Sequence, residues 1–147
     1  MTQCPDCGAR YDAEGDSCRE RFDILLALDH SRREPWGSRH GLAFASFALQ
    51  HPATFPQSLD RSWSALYAIY VGGRAQDFVF RTLVAGNGTL PAAWIIPARP
   101  AAATSVPLFT IADLAEFDAS IYAGDLDRMC RAALAMWGES GTHHEDN

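Results

Sequence analysis

Two cysteines near the N-terminus, Cys4 and Cys7, have the residue type and spacing that point most directly to chemistry. They lie three positions apart in the run CPDCG, and Gly8 permits the tight turn that presents both sulfurs to one metal ion. Cys18 follows at the predicted start of the first helix, where the helix dipole favours a thiolate. Three thiolates at one end of a helix predict a zinc site.

Other roles for these cysteines remain open at this stage. Cys4 and Cys7 could form a redox dithiol, or could be two unrelated buried thiols. A redox pair of this spacing is expected between a strand and a helix of a thioredoxin-like pattern, which the surrounding sequence does not show. In a reducing compartment, paired cysteines indicate a metal before a disulfide. Metal binding is therefore the favoured interpretation.

The fourth zinc ligand has to come from a residue far from the three cysteines in sequence. The candidates are His30, His40, His51, Cys130, His143 and His144. His30 is twelve residues beyond Cys18 on the same predicted helix, or roughly 18 Å away, so the two cannot share an ion. A second helix antiparallel to the first brings His51 back to the Cys18 end and leaves His40 roughly 16 Å from His51. The predicted ligands are therefore Cys4, Cys7, Cys18 and His51.

The remaining candidates have simpler explanations. His51 precedes Pro52 at a helix end. A histidine at such a position often has no role beyond donating a hydrogen bond to the last carbonyls of the helix. Cys130 lies on the apolar stripe of the last helix, so we expect an inert core thiol. The pair His143 and His144 belongs to a polar C-terminal tail that we expect to be solvated.

The elements that must position these residues are predicted to be helices. Apolar periodicity places helices at about 18–30, 40–51, 58–71, 75–85 and 120–137, with Ser17 as an N-cap of the first. Thr110 and Asp113 resemble a capping box that opens a further short helix. The long segment 87–108 should lie against the core through Trp94, Ile95, Ile96 and Val106. Strands have little support.

The sequence thus predicts an all-α fold, a compact helical bundle of about five to six helices with an N-terminal zinc-binding loop. Residues 1–138 are expected to form a single domain with the zinc knuckle at 4–18, and residues 139–147 a disordered tail. No apolar run is long enough to span a membrane, and the N-terminus lacks the features of a signal peptide. We therefore expect a cytoplasmic protein that does not bind membranes.

Charge argues against nucleic acid as a partner. The net charge is −6, the isoelectric point is near 5.2, and no basic patch surrounds the cysteines. All twelve basic residues are arginine, which together with the many alanines suggests a GC-rich genome. The partner is expected to be an unidentified protein or small molecule.

The run CPDCG, then Cys18, then HGLAFASFALQHP together resemble a known pattern. The sequence is similar to an uncharacterised bacterial family with an N-terminal CPxCG, a further cysteine and a helix that ends in QHP. The similarity runs from Cys4 to about Trp137, and it includes histidines at the positions of His40 and His51. Because that family is a domain of unknown function, the resemblance implies a fold and a metal site but no activity.

Two functions fit these residues. In the first, a closed structural zinc stabilises a binding or adaptor module. In the second, the protein is a small metal-dependent enzyme, with either an open zinc position or a histidine-lined pocket between the helices. The catalytic candidates for the pocket are His40, Arg39 and Tyr67, with His30 nearby. The sequence contains no HExxH, GxSxG or glycine-rich phosphate loop, so the first function is favoured.

Overall fold

A computed structural model of the chain describes residues 2–12, 17–114 and 117–139. Within these ranges the chain forms five α-helices: α1 (Cys18–His30), α2 (His40–Gln50), α3 (Leu59–Tyr70), α4 (Gln76–Ala85) and α5 (Tyr122–Met136). Four single 3-10 turns lie between them, at Gly37–Arg39, Pro56–Ser58, Ala92–Trp94 and Ile111–Asp113. The predicted all-α helical bundle is confirmed.

The first helix begins where its capping residue predicts. The hydroxyl oxygen of Ser17 accepts a hydrogen bond from the backbone N–H of Glu20 at 3.1 Å, which satisfies one of the free donors of the first turn. Cys18 is therefore the first helical residue, as predicted. The capping box at Thr110 and Asp113 is also confirmed, although it opens only a 3-10 turn.

Helix α2 occupies the centre of the bundle. It packs against both α3 and α5, and Ala48, Leu49 and Gln50 near its C-terminal end are fully buried. The amide nitrogen of Gln50 donates to the carbonyl of Phe109 at 2.9 Å and lies 3.4 Å from that of Met129. A helix that is apolar nearly all round is thus surrounded on all sides, as its pattern predicts. Its end is fixed by a buried polar side chain.

The segment between α4 and α5 lies only partly against the core. The indole N–H of Trp63 donates to the carbonyl of Pro97 at 2.9 Å, and Ile96 packs on the core. Ile95 and Val106, however, are 82% and 65% exposed, so their predicted burial is wrong. Ile95 has a left-handed backbone (φ 55°), and this local turn directs its side chain to solvent.

A short antiparallel strand pair lies at the N-terminus, although the sequence pattern does not predict strands there. Strand β1 (Thr2–Gln3) pairs with β2 (Arg10–Tyr11), with Thr2 opposite Tyr11 and Gln3 opposite Arg10. A strand of two residues is too short to show the alternation of apolar and polar residues that predicts a strand, so the pattern does not indicate either one. Residues 140–147, most of the predicted tail, lie outside the described residues.

None of the helices in the described part of the chain combines the length and the apolar character that crossing a bilayer requires.

Candidate metal centre

Four side chains from three separate parts of the chain converge at one end of the bundle. They are Cys4, Cys7, Cys18 and His51, and their ligand atoms all lie within 4.8 Å of one another. Two sulfurs bound to one tetrahedral zinc lie roughly 3.8 Å apart, given ~2.3 Å for each bond. The Sγ atoms of Cys7 and Cys18 are 3.5 Å apart, close to that value. This cluster has the size of a single metal site.

Cys4 and Cys7 lie in a turn that the backbone closes on itself. The N–H of Cys4 donates to the carbonyl of Ala9 at 2.8 Å, and the N–H of Gly8 donates to the carbonyl of Cys4 at 2.9 Å. Gly8 has φ 81°, a conformation that side chains with a Cβ rarely adopt. Glycine at position 8 therefore allows the tight turn that follows Cys7 and keeps Cys4 and Cys7 on the same side of the backbone.

Cys18 lies at the N-terminus of α1, and its contacts favour the thiolate form of its side chain. A hydrogen bond from Cys7 lowers the pKa of Cys18 to about 4, and a hydrogen bond from Tyr11 adds to this effect against the opposing effect of burial. The Tyr11 hydroxyl lies 3.0 Å from the sulfur. A thiolate is the form of cysteine that binds metals.

His51 is held so that one ring nitrogen faces the sulfurs. Its Nδ1 donates to the carbonyl of Phe47 at 2.8 Å, and the Phe47 ring stacks on the imidazole with centroids 3.9 Å apart. Since Nδ1 carries the proton, Nε2 has a free lone pair, yet this buried atom has no hydrogen-bond partner in the described structure. Histidine ligands of metals are oriented in this way, by a carbonyl on the other ring nitrogen.

The four residues differ in how far they are exposed. Cys7, Cys18 and His51 are buried, whereas Cys4 is only half-buried. A largely apolar cavity of about 630 Å³ adjoins the cluster on this side. Its walls include Cys4, Cys18, His51, Tyr11, Phe47 and Thr54. Solvent or a small molecule could therefore approach the cluster past Cys4.

The catalytic candidates among the described residues lie elsewhere. His40, the first residue of α2, lies beside the C-terminal end of α1, where its Nδ1 is 2.9 Å from Asp29. Arg39 donates a hydrogen bond to the carbonyl of Pro35. Tyr67 packs its ring on Trp63 in α3 and makes no described contact with His40 or Arg39. In the part of the chain described, Tyr67 therefore does not share a catalytic site with His40 and Arg39.

Cys130 is fully buried and lies outside the metal-binding cluster. Its Sγ is 3.7 Å from the carbonyl oxygen of Leu42, and burial raises its pKa to about 12. The prediction that Cys130 is a core thiol is in line with this placement.

Sequence reasoning missed two residues that support the cluster, Tyr11 and Phe47. The contact of Tyr11 with Cys18 depends on the strand pair, which the sequence pattern does not predict. Phe47 precedes His51 by four residues, one helical turn, so its contact with the ring could have been read from the spacing.

The fold and the cluster together define a small helical protein with a potential metal-binding Cys3His centre. The chain belongs to a family of unknown function, DUF5946, whose profile matches residues 2–138. Its resemblance to an uncharacterised family is thereby confirmed. No curated protein and no solved structure gives a significant match.

Proposed function

We propose that the protein binds one zinc ion through Cys4, Cys7, Cys18 and His51, and that the zinc is mainly structural. The observation that carries this proposal is the buried Nε2 atom of His51, which has no hydrogen-bond partner among the described residues, in a ring that clusters with three sulfurs. A buried nitrogen without a hydrogen bond is costly, and a metal bond removes that cost.

Zinc is the ion that this donor set favours. Three thiolates and one imidazole are a common ligand set of structural zinc sites, whereas Mg²⁺ and Ca²⁺ require oxygen ligands. Four protein ligands fill a tetrahedral shell and leave no position for a substrate. The closed shell supports a structural role over a catalytic one.

The ion would join three separate elements of the fold. Cys4 and Cys7 belong to the N-terminal turn, Cys18 begins α1, and His51 caps the end of α2. Among the described residues 2–12, the buried apolar side chains are those of Cys7, Ala9 and Tyr11. Binding energy at the metal would therefore fix this segment to the bundle.

With the metal in a structural role, the protein acts as a binding or adaptor module in the cytoplasm. Its partner is a protein or a small molecule. A net charge of −6 disfavours nucleic acid, which proteins hold through arginines and lysines on its phosphates.

The test is the metal content and coordination of untagged protein expressed without added metal. We expect close to one zinc per chain, with three sulfurs and one nitrogen by X-ray absorption. His51→Ala should weaken zinc binding more than about 100-fold, since even loss of a residue that only supports a ligand costs ~10–100-fold. His40→Ala is the matched control and should leave this zinc in place. Protein that is purified without metal, and whose residues 2–12 are as well ordered as the bundle, would defeat the proposal.

One observation favours a second candidate function, a small enzyme with an open zinc position. The 630 Å³ cavity reaches the cluster on the side of the half-buried Cys4. An ion held by fewer than four protein ligands could bind a water or a substrate there. X-ray absorption separates the two functions, because a catalytic site would show an oxygen ligand in place of one protein ligand.

A further inference from the structure

Two histidines, His30 and His40, meet at the end of α1 away from the cysteines. The Nδ1 atom of His40 lies 2.9 Å from a carboxylate oxygen of Asp29. The side chain of Asp29 is 1% exposed, while that of His40 is 47% exposed. Because a carboxylate only accepts, Nδ1 carries the proton and the neutral ring keeps its lone pair on Nε2. That atom has no partner in the described structure.

His30 brings a second imidazole beside this one. It is the last residue of α1, and its ring centroid lies 5.9 Å from that of His40 with the planes tilted by 35°. Two imidazoles bound to one tetrahedral ion have centroids roughly 5 Å apart, given ~2.1 Å for each metal–nitrogen bond. Since His30 is exposed and forms no described hydrogen bond, a side-chain rotation can close the difference.

The arginines around the pair do not rule out a cation. Arg39 lies 3.5 Å from the carboxylate of Glu34 and donates to the carbonyl of Pro35. Arg33 stacks over the ring of Trp36. These two arginines are therefore engaged with the protein, whereas Nε2 of His40 and the ring nitrogens of His30 form no described hydrogen bond.

We propose that His30 and His40 form a second metal site, for a divalent transition ion that prefers imidazole nitrogen. Asp29 is a positioning residue, which fixes the proton on Nδ1 of His40 and so directs Nε2 to the ion. An ion held by two imidazoles keeps further positions for water or a small ligand. The site lies roughly 18 Å from Cys18 along α1, so it does not depend on the proposed zinc centre.

The burial of Asp29 supports this role. A buried carboxylate is costly, and its second oxygen, Oδ1, has no hydrogen-bond partner in the described structure. A helix junction built only for packing would be served as well by an apolar side chain of similar size. A carboxylate behind a histidine is, however, the usual support of a metal-binding imidazole.

The experiment is a zinc titration of protein that already holds one equivalent, followed by calorimetry. The background carries His143→Ala and His144→Ala, so that the C-terminal histidines cannot bind the added ion. We expect a second, weaker equivalent that disappears in His30→Ala and in His40→Ala. Asp29→Asn should weaken it ~10–100-fold. In nitrogen-detected NMR, zinc should shift Nε2 of His40 while Nδ1 stays protonated, a signature that a merely structural Asp29–His40 contact would not give.

Three results would overturn the proposal. The first is a second equivalent that survives both histidine substitutions, and the second is no further zinc binding at all. The third is a response of the His30 and His40 signals to inorganic phosphate but not to zinc, which would indicate an anion site. Loss of the first zinc equivalent alone would count against the Cys3His centre and leave this site standing.

Discussion

Single residues decide whether the cysteine cluster can bind a metal, and each of the supporting contacts has a specific physical role. The Phe47 carbonyl fixes which nitrogen of His51 is free, and the Tyr11 hydroxyl stabilises negative charge on Cys18. Neither residue would touch the ion itself. Their substitution therefore tests the cluster without removing a ligand.

Replacement of Tyr11 by phenylalanine should weaken zinc binding by about 10–100-fold, because the Cys18 thiolate loses a hydrogen bond while the ring still fills its place. The measurement is competition with a chromophoric chelator. The matched control is Tyr67→Phe, since Tyr67 packs on Trp63 and lies outside the cluster. Equal affinities for the wild type and Tyr11→Phe would show that the contact does not matter.

Cys130 should behave as a core residue and not as a ligand. Burial raises its pKa to about 12, so almost no thiolate is present at neutral pH and alkylation should require unfolding. Cys130→Ala should leave the zinc content unchanged and lower the free energy of unfolding by about 1 kcal/mol, through a small cavity. Zinc loss in this variant would make Cys130 a ligand.

At the scale of elements, the sequence predicted the parts of the site that depend on helices. Ser17 marks the start of α1, and an antiparallel α2 brings His51 to Cys18, as the structure has it. The strand pair was missed because two residues have no periodicity. The contact of Asp29 with His40 could not be predicted, although Asp29 lies on the same buried face of α1 as Phe22 and Leu25. The path of the loop between α1 and α2 decides which side chain meets the Asp29 carboxylate.

Gln50 shows how one polar side chain can hold separate elements together. Its amide nitrogen bonds the carbonyl of Phe109 in a fully buried position. Gln50→Leu should lower the free energy of unfolding by about 1–3 kcal/mol, because a buried carbonyl loses its donor. Denaturant unfolding measures this, with the exposed Gln57→Leu as the control. The zinc content should not change, although His51 is the next residue.

At the scale of the whole molecule, the bundle and the N-terminal segment differ in what stabilises them. The bundle has a continuous core built from α2, α3 and α5, with Leu49, Leu66 and Leu126 fully buried. Residues 2–12 contribute a two-residue strand pair and few buried side chains. The two parts should therefore respond differently to loss of the metal.

Zinc removal by a chelator should loosen residues 2–12 and leave the bundle folded. Amide exchange should rise at Cys4 and Gly8, whose N–H groups bond within the turn, and should stay slow at the centre of α3. The melting temperature should also fall, because an ion at ~1,000 times its Kd adds about 4 kcal/mol to the stability of the form that binds it. Mass spectrometry of exchanged protein and circular dichroism measure the two effects. Uniform exchange throughout the bundle would show that the metal holds the whole fold, and unchanged exchange at Cys4 and Gly8 would show that the turn needs no metal.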